Sequence, residues 1–407
     1  MDRKVGHCRL CGSHDLELFL DLGQQAYTGI FPSSRDENVP QGTLSLTKCL
    51  NTECALTQLS NDFSLDIMYG DNYGYRSGLN PSMVSHLKEL NSHLMQYVNL
   101  ASNDIIIDIG SNDGTSLAFY PEGIYKLYGI DPTSEKFKQY YRHDIKTIPK
   151  FFDESIEDLA PFSLGSRAKV ITSISMFYDL PSPLGFAKTI SNLLSDDGIW
   201  VTEQSYYLDM LRKNSFDTIC HEHLEYYNIK QLRFIASAVN LKIIDISFNP
   251  ANGGSFRTVL AKKENKKFTE IDLEPIIADE ELETRKLEKQ FKINIEKEKK
   301  NLKNHLKYLR RKGQNVYALG ASTKGNVLLQ YYELSSKDII AVGEVNEDKF
   351  GKFTPGTLIP IVNQETILDD PNGVFIVLPW HFREFFENNT KFSRKTLIYP
   401  LPIFDAS

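Results

Sequence analysis

From residue 104 onward the chain alternates short apolar runs with amphipathic stretches. DIIIDIG (104–110), KLYGID (126–131), AKVITSIS (168–175) and GIWVTEQ (198–204) are short and continuously apolar. That pattern predicts strands buried on both faces of a parallel sheet. Helical spacers such as PLGFAKTISNLL (183–194) fall between them, so right-handed βαβ units follow. Upstream, SMVSHLKELNSHLMQYV (82–98) repeats apolar residues at helical spacing, after a turn-rich, tyrosine-rich stretch at 61–75. Residues 274–312 place Leu282, Leu287, Phe291, Ile295, Leu302, Leu306 and Leu309 on a highly charged background, and Gly313 supplies a stop. This predicts one long amphipathic helix, or two, bridging domains. Beyond it NVYALGAS, IIAVGEV and GVFIVLP form a second, smaller strand–helix series. No repeat of solenoid length is evident.

At 407 residues the chain exceeds one ordinary core and should hold two or three domains. The longest apolar runs are too short to span a bilayer, and MDRKVGHCRL lacks the apolar core of a signal peptide. A cytoplasmic protein with no membrane partner is expected. A net charge of −7 argues against a sequence-independent nucleic-acid binder, which needs a basic surface.

Cysteine usage adds a candidate metal centre. Cys8, Cys11, Cys49 and Cys54 form two short hooks, C-R-L-C-G and C-L-N-T-E-C. Two such hooks, roughly forty residues apart, are what a tetrahedral zinc ion needs, with all four positions closed. SLTKCL alternates as a strand leading into the second hook. The fifth cysteine, Cys220, sits in FDTICHEHLEYY (216–227), a dense titratable stretch. Its histidines are two apart, not four, so the His-Glu-x-x-His metal pattern fails. On a helix that spacing would turn the two toward opposite sides.

Two glycine turns follow strands. In IIIDIGSNDGTSL (105–117), Gly110, Asn112, Asp113 and Gly114 open the first βα turn, where the backbone can approach a ligand closely. The dinucleotide fingerprint is absent, and Asp108 and Asp113 would repel a pyrophosphate. S-adenosylmethionine, which is zwitterionic with a cationic sulfur, suits the acidic turn better. About twenty residues on, Asp131 is placed to accept both hydroxyls of a ribose. Ser173, ending the next strand in the predicted order, would reach the same cofactor. In YALGASTKGNVLLQYY (317–332), Lys324 and the amides from Ser322 to Gly325 could cradle a phosphate, although the P-loop order is missing. Trp380 and His381 in LPWHF lie near a strand end, where ligands of α/β sheets gather.

Together these residues resemble the bacterial sugar C-methyltransferases. C-x-x-C-G with its second hook, YGYRSGLNPSM, the IDIGSNDG loop, HEHLEYYN, NGGSFR and GASTKGN followed by GKFTPGTLIPI occur in that family's order from about residue 8 to 400. The resemblance implies an α/β chain of four parts. These are a small zinc ribbon (1–70), a central class I methyltransferase Rossmann-like domain (71–265), a helical connector (266–313) and a C-terminal Rossmann-like domain (314–407) that helps hold a nucleotide-linked sugar. It implies S-adenosylmethionine and structural zinc as bound groups, and a monomer or weak homodimer. Its His-Glu-His segment falls on His221, Glu222 and His223, with His223 as base and Glu222 beside it. Its tyrosine before the methyltransferase core falls on Tyr75, and NGGSFR brings Asn252 and Arg257 to the substrate side. Relatives carry tyrosine where this chain has Cys220, and histidine after the fourth strand where it has Tyr178.

The implied reaction, methyl transfer to a carbon beside a ketone of a nucleotide-linked keto-deoxysugar, suits these groups. A neutral imidazole can remove the proton, Glu222 can tune it if within hydrogen-bond reach, and Tyr75 and Tyr178 can donate to the enolate oxygen. An O- or N-methyltransferase acting on a sugar or other small metabolite is the alternative. A nucleic-acid methyltransferase fits the charge poorly, and a scaffold leaves the cofactor loop and the titratable cluster unexplained.

Overall fold

The computed structural model describes residues 3–69 and 74–405. Residues 70–73, which hold part of the tyrosine-rich stretch and the expected 70/71 boundary, lie outside the described residues.

Seven strands make the central sheet, in the order Leu241–Asn249, Ser255–Lys262, Leu194–Ser205, Ala168–Ile174, Ile105–Ile109, Lys126–Ile130, Ile145–Ile148. Neighbours are parallel except around Ser255–Lys262, which runs antiparallel to both its partners. The apolar run IIIDI is buried at every position, as a strand covered on both faces must be. Three strands escape the sequence pattern. Ile145–Ile148 is only four residues long. In the antiparallel pair at the other edge, LKIIDISFN and SFRTVLAK mix charged residues into the apolar positions. Chain order reverses between Ile105–Ile109 and its neighbour Ala168–Ile174, which opens a crevice at the carboxyl ends of the strands.

The cysteine-bearing region is an antiparallel sheet of Leu16–Ala26, Gln41–Cys49 and Thr57–Leu59. Its fourth strand, Glu225–Tyr226, comes from far along the chain and pairs with Thr57–Leu59. A strand two residues past His223 is therefore part of the cysteine-bearing sheet. The C-terminal sheet is fully parallel, ordered Ile361–Asn363, Val342–Glu344, Asn315–Leu319, Gly373–Val377, Thr396–Ile398. Counted along the chain, that is the 3-2-1-4-5 order of a Rossmann-like half.

Glu274–Arg311 is a single helix of 38 residues. Phe291, Ile295, Leu302, Leu306 and Leu309 form its buried stripe, as periodicity predicts. Leu282 does not join it and stands 74 % exposed. The buried positions there are Ile277, Glu280 and Thr284. Glu280 is the acceptor for Tyr206 Oη at 2.7 Å and for the Ile229 amide, so this turn packs on polar groups of the central domain. Among the described residues no helix is long and apolar enough to cross a membrane.

Candidate active site

The four hook cysteines converge. Their sulfurs lie within 4.8 Å of one another, with Cys8 and Cys54 3.7 Å apart and Cys11 and Cys49 3.5 Å apart. Sulfurs bound tetrahedrally at about 2.3 Å from zinc would sit about 3.8 Å from each other, so the donor set fits the ion. Cys8, Cys49 and Cys54 are buried. Cys8 is drawn down to about 5, chiefly because the Cys54 thiol donates to it. One thiolate is thus already favoured in the cluster, as a metal requires. Arg9, inside the first hook, donates through Nη1 to the Leu59 carbonyl and through Nη2 to Asp62 at 2.7 Å, and its Nε lies 3.7 Å from Glu225. The Gln231 amide donates to the Cys54 carbonyl at 2.6 Å. The hooks are thereby tied to the segment that carries His223.

At the crevice lies a cavity of about 410 Å³, in the size range of small-ligand sites. Asp108, Gly110, Asn112 and Asp131 line it, as do Tyr75, Ser175 and Met176. Gly110 takes φ +72°, and a Cβ there would meet Met176 Cγ at 2.9 Å, so the turn needs glycine. Asp131 accepts from the Asn112 amide at 2.9 Å and from the Thr133 amide and hydroxyl. Asp108 accepts from Thr172 Oγ1 at 2.6 Å, and burial pushes its carboxyl up to about 7. Burial raises Asp131 as well. A cationic ligand in this cavity would draw both acids back toward ionisation, which suits S-adenosylmethionine.

Two residues expected at the cofactor do other work. Ser173 is fully buried below the crevice and accepts from Trp200 Nε1 at 2.9 Å; the serine that this segment brings to the wall is Ser175, just past the strand end. Asp113 is turned away from the cavity. It accepts from Thr115 and from the Gly78 amide at 3.0 Å, and pairs with Arg76 at 3.5 Å. Asn112 Oδ1 accepts from the Ser77 amide, and Asn112 Nδ2 donates to the Tyr75 carbonyl. A Cβ on Gly78 would come within 2.8 Å of Asp113 Oδ2. The acidic turn therefore holds the strap 75–78 over the cavity, with Tyr75 47 % exposed at its mouth. Phe152, Asp153 and Asp179 also line the cavity. They escaped sequence reasoning because they follow the undetected third strand, or a short turn whose neighbour Tyr178 drew the attention.

His223 is half-buried, and its Nδ1–H donates to the Thr218 carbonyl at 2.8 Å. A carbonyl only accepts, so this bond fixes the tautomer and leaves the Nε2 lone pair free. Burial, then the charge of Lys324, holds the imidazole down at about 3. Tyr178 packs edge-on against the ring, centroids 4.5 Å apart. Glu222 is not the partner that the sequence suggested. Its Oε1 faces Gly29, and its carboxyl, raised by burial, takes a hydrogen bond from the Cys220 thiol. Asp179, which accepts from Tyr69 Oη at 2.7 Å, is held well above the usual carboxylate range by burial and by Glu222. Cys220, Glu222 and Asp179 thus form one acidic patch beside the cavity. His221 is buried between the rings of Tyr27 and Phe63.

The substrate-side residues divide. Asn252, Lys324, Trp380 and His381 converge. Asn252 Nδ2 donates to Ser175 Oγ at 3.0 Å, and Lys324 Nζ to the Asn252 carbonyl at 2.8 Å. Trp380 Nε1 donates to Asp217 at 2.8 Å, and the His381 Cβ lies 3.8 Å from the Cβ position of Gly253. His381 is held down at about 3 by burial and Lys324. The other two do not join them. Ser322 caps its own helix by accepting from the Gly325 amide, so the expected phosphate cradle lacks that donor. Arg257 is buried and donates to Glu203, which also meets His86 and Asn249. Arg257→Met leaves Glu203 buried and short of its cation, at a cost of about 3–5 kcal/mol. A urea midpoint that falls correspondingly is the expected result, and an unchanged midpoint contradicts the role.

Residues 8–69 match a family model described as a zinc binding domain, 83–246 one described as a methyltransferase domain, and 250–402 one described as a C-methyltransferase C-terminal domain. The chain is 24% identical over 416 residues to C-methyltransferase NovU of Streptomyces niveus, covering 98% of this chain and 96% of that one. Among solved structures it is similar to an S-adenosylmethionine-dependent methyltransferase from Clostridium acetobutylicum, at 12% identity, with 44% of this chain and 92% of that one covered and a TM-score of 0.34. It is similar also to N-methyltransferase NodS from Bradyrhizobium japonicum, at 10% identity, 46% and 98% coverage and a TM-score of 0.33. With the three domain matches in order and a similar C-methyltransferase aligned along nearly its whole length, the chain is an S-adenosylmethionine-dependent methyltransferase and a homologue of the C-methyltransferases.

Proposed function

We propose that the chain methylates a carbon next to the ketone of a nucleotide-linked keto-deoxysugar. The observation that carries this reading is the state of His223, a neutral imidazole with Nε2 free, at a space also lined by Asn252, whose carbonyl accepts from Lys324 of the C-terminal domain. Bound S-adenosylmethionine supplies an electrophilic methyl group. The chain must supply a carbon nucleophile, and a carbon beside a ketone becomes one when a base removes its proton. Nε2 of His223 is that base, and Thr218, not Glu222, orients it. Asp108 and Asp131 hold the cofactor's charged and hydroxyl groups, while Tyr75 and Tyr178 border the path between cofactor and base. Asn252, Trp380 and His381 face the sugar nucleotide.

The space at His223 is small, about 20 Å³, and is walled by Tyr178 and by the turn Asn252–Gly254. A sugar ring needs more room, so binding has to shift that wall. Gly253 and Gly254, at φ +97° and +133°, let the turn move without side chains to clear.

A panel assay tests the reading. Nucleoside-diphosphate 4-keto-6-deoxyhexoses, with S-adenosylmethionine, should each be scored for a product heavier by one methylene. Turnover with the keto sugars and none with the same sugars reduced to the 4-hydroxyl is the expected result. Equal turnover of the reduced sugars would point to a hydroxyl as the acceptor.

A further inference from the structure

The C-terminal lobe brings a cation to the reaction site without a carboxylate touching it. Lys324 lies in the first turn of the helix Thr323–Tyr331, and the Asn252 carbonyl takes one of its three N–H donors. Among the described residues no ion pair joins it. Burial of an ammonium without direct pairing is costly, and its pKa is lowered accordingly. The opposing charge is Asp217, wholly buried, with one oxygen on Trp380 Nε1 and the other without a hydrogen-bond partner.

Both ends of this arrangement reach the base. Asp217 lies in the turn Phe216–Thr218, whose Thr218 carbonyl orients His223. That turn is gripped from the C-terminal lobe by the Trp380 hydrogen bond and by Tyr332, its ring 5.3 Å from that of Phe216. Asn252, which holds Lys324, lines the space at His223 and binds Ser175 at the rim of the cofactor cavity. Lys324 therefore stands behind the wall shared by cofactor and base, not at an outlying phosphate site.

We propose that Lys324 is a catalytic cation of the deprotonation step, meeting the negative charge that develops on the substrate's carbonyl oxygen. The proposal rests on the keto-sugar reading above. In the step, the C–H bond beside the ketone breaks and its proton passes to Nε2 of His223. The bonding pair becomes the enolate C=C, and the carbonyl π pair moves onto oxygen, where the ammonium faces it. Before reaction the same charge disfavours protonation of His223; afterwards the enolate lies between two cations and balances them. This half-reaction is complete without a methyl donor.

The test is solvent-deuterium exchange at the carbon beside the ketone of a nucleoside-diphosphate 4-keto-6-deoxyhexose, using the full chain, together with steady-state methylation. K324M should slow exchange and kcat by about 10²–10³-fold, the loss typical for one oxyanion donor, while KM for the sugar nucleotide is kept. K324R, which keeps the charge but moves its centre, should recover part of the rate. K324M that raises only KM and exchanges at the wild-type rate overturns the proposal and makes Lys324 a phosphate ligand. If K324M no longer binds S-adenosylmethionine, the fold is damaged and K324Q, which keeps a polar side chain without the charge, decides: exchange slowed with KM kept supports the proposal, and unchanged exchange overturns it. Wild-type protein that neither exchanges nor methylates any keto sugar overturns the keto-sugar reading, and the proposal falls with it. Wild-type protein that methylates carbon while K324M is unimpaired overturns the proposal alone.

Discussion

Stripping the zinc unfolds the N-terminal sheet and abolishes methyl transfer. The four hook sulfurs are placed for one ion, three of them buried. The sheet they anchor has one strand of three residues and another of two, too little on its own to hold four thiols together. Structural zinc contributes apparent binding free energies of about 10–16 kcal/mol in small zinc domains, and there that energy is folding energy. The loss also reaches the chemistry, because Glu225–Tyr226 belongs to the same sheet and follows His223 by two residues. Chelation under denaturant, followed by refolding with and without added zinc, checks this through zinc content, protease resistance of residues 8–69 and turnover. Cys54→Ser should behave like the stripped protein. A metal-free preparation that resists protease and keeps its rate contradicts the structural role.

His223→Ala lowers kcat by about 10²–10⁴-fold, the span that a positioned general base supplies, and leaves S-adenosylmethionine affinity nearly unchanged. The separation is expected because the imidazole lines the small space beside Tyr178 and Asn252, not the 410 Å³ cavity. Glu222→Gln should cost much less, since the hydrogen bond that fixes the ring comes from the Thr218 carbonyl. Pre-steady-state methyl transfer and equilibrium cofactor binding measure the two quantities separately. An alanine variant that keeps more than about a tenth of the wild-type kcat removes His223 from the role of base.

Much of this architecture is legible along the chain, and its gaps have physical causes. Ile105–Ile109 declares itself because a strand buried on both faces admits almost nothing but apolar residues, and Gly110 marks the turn that follows. The two cysteine hooks are legible because metal geometry constrains spacing. What escapes is decided by neighbours distant in sequence. Ser173 and Ser175 look interchangeable as strand-end serines, but the strand buries the first against Trp200 and ends before the second. Asp113 reads as a cofactor acid until the strap 75–78 is seen resting on it. Arg257 reads as a substrate ligand, yet Glu203 from the adjacent strand claims it. Leu282 fits the helical stripe by spacing, while Glu280 takes the buried position because Tyr206 and the Ile229 amide need an acceptor there. Glu222, next to His223 in sequence, points to Cys220 and Gly29 because it sits in a turn closed by the His223 amide on the Cys220 carbonyl.

Carbon NMR of the product distinguishes methylation of carbon from methylation of oxygen or nitrogen. With S-adenosylmethionine labelled at its methyl carbon and a nucleoside-diphosphate 4-keto-6-deoxyhexose labelled in the ring, the expected product shows a methyl resonance split by one-bond coupling to the ring carbon beside the ketone. A labelled methyl without that coupling, shifted to the position of a carbon bound to oxygen or nitrogen, would contradict methylation of carbon.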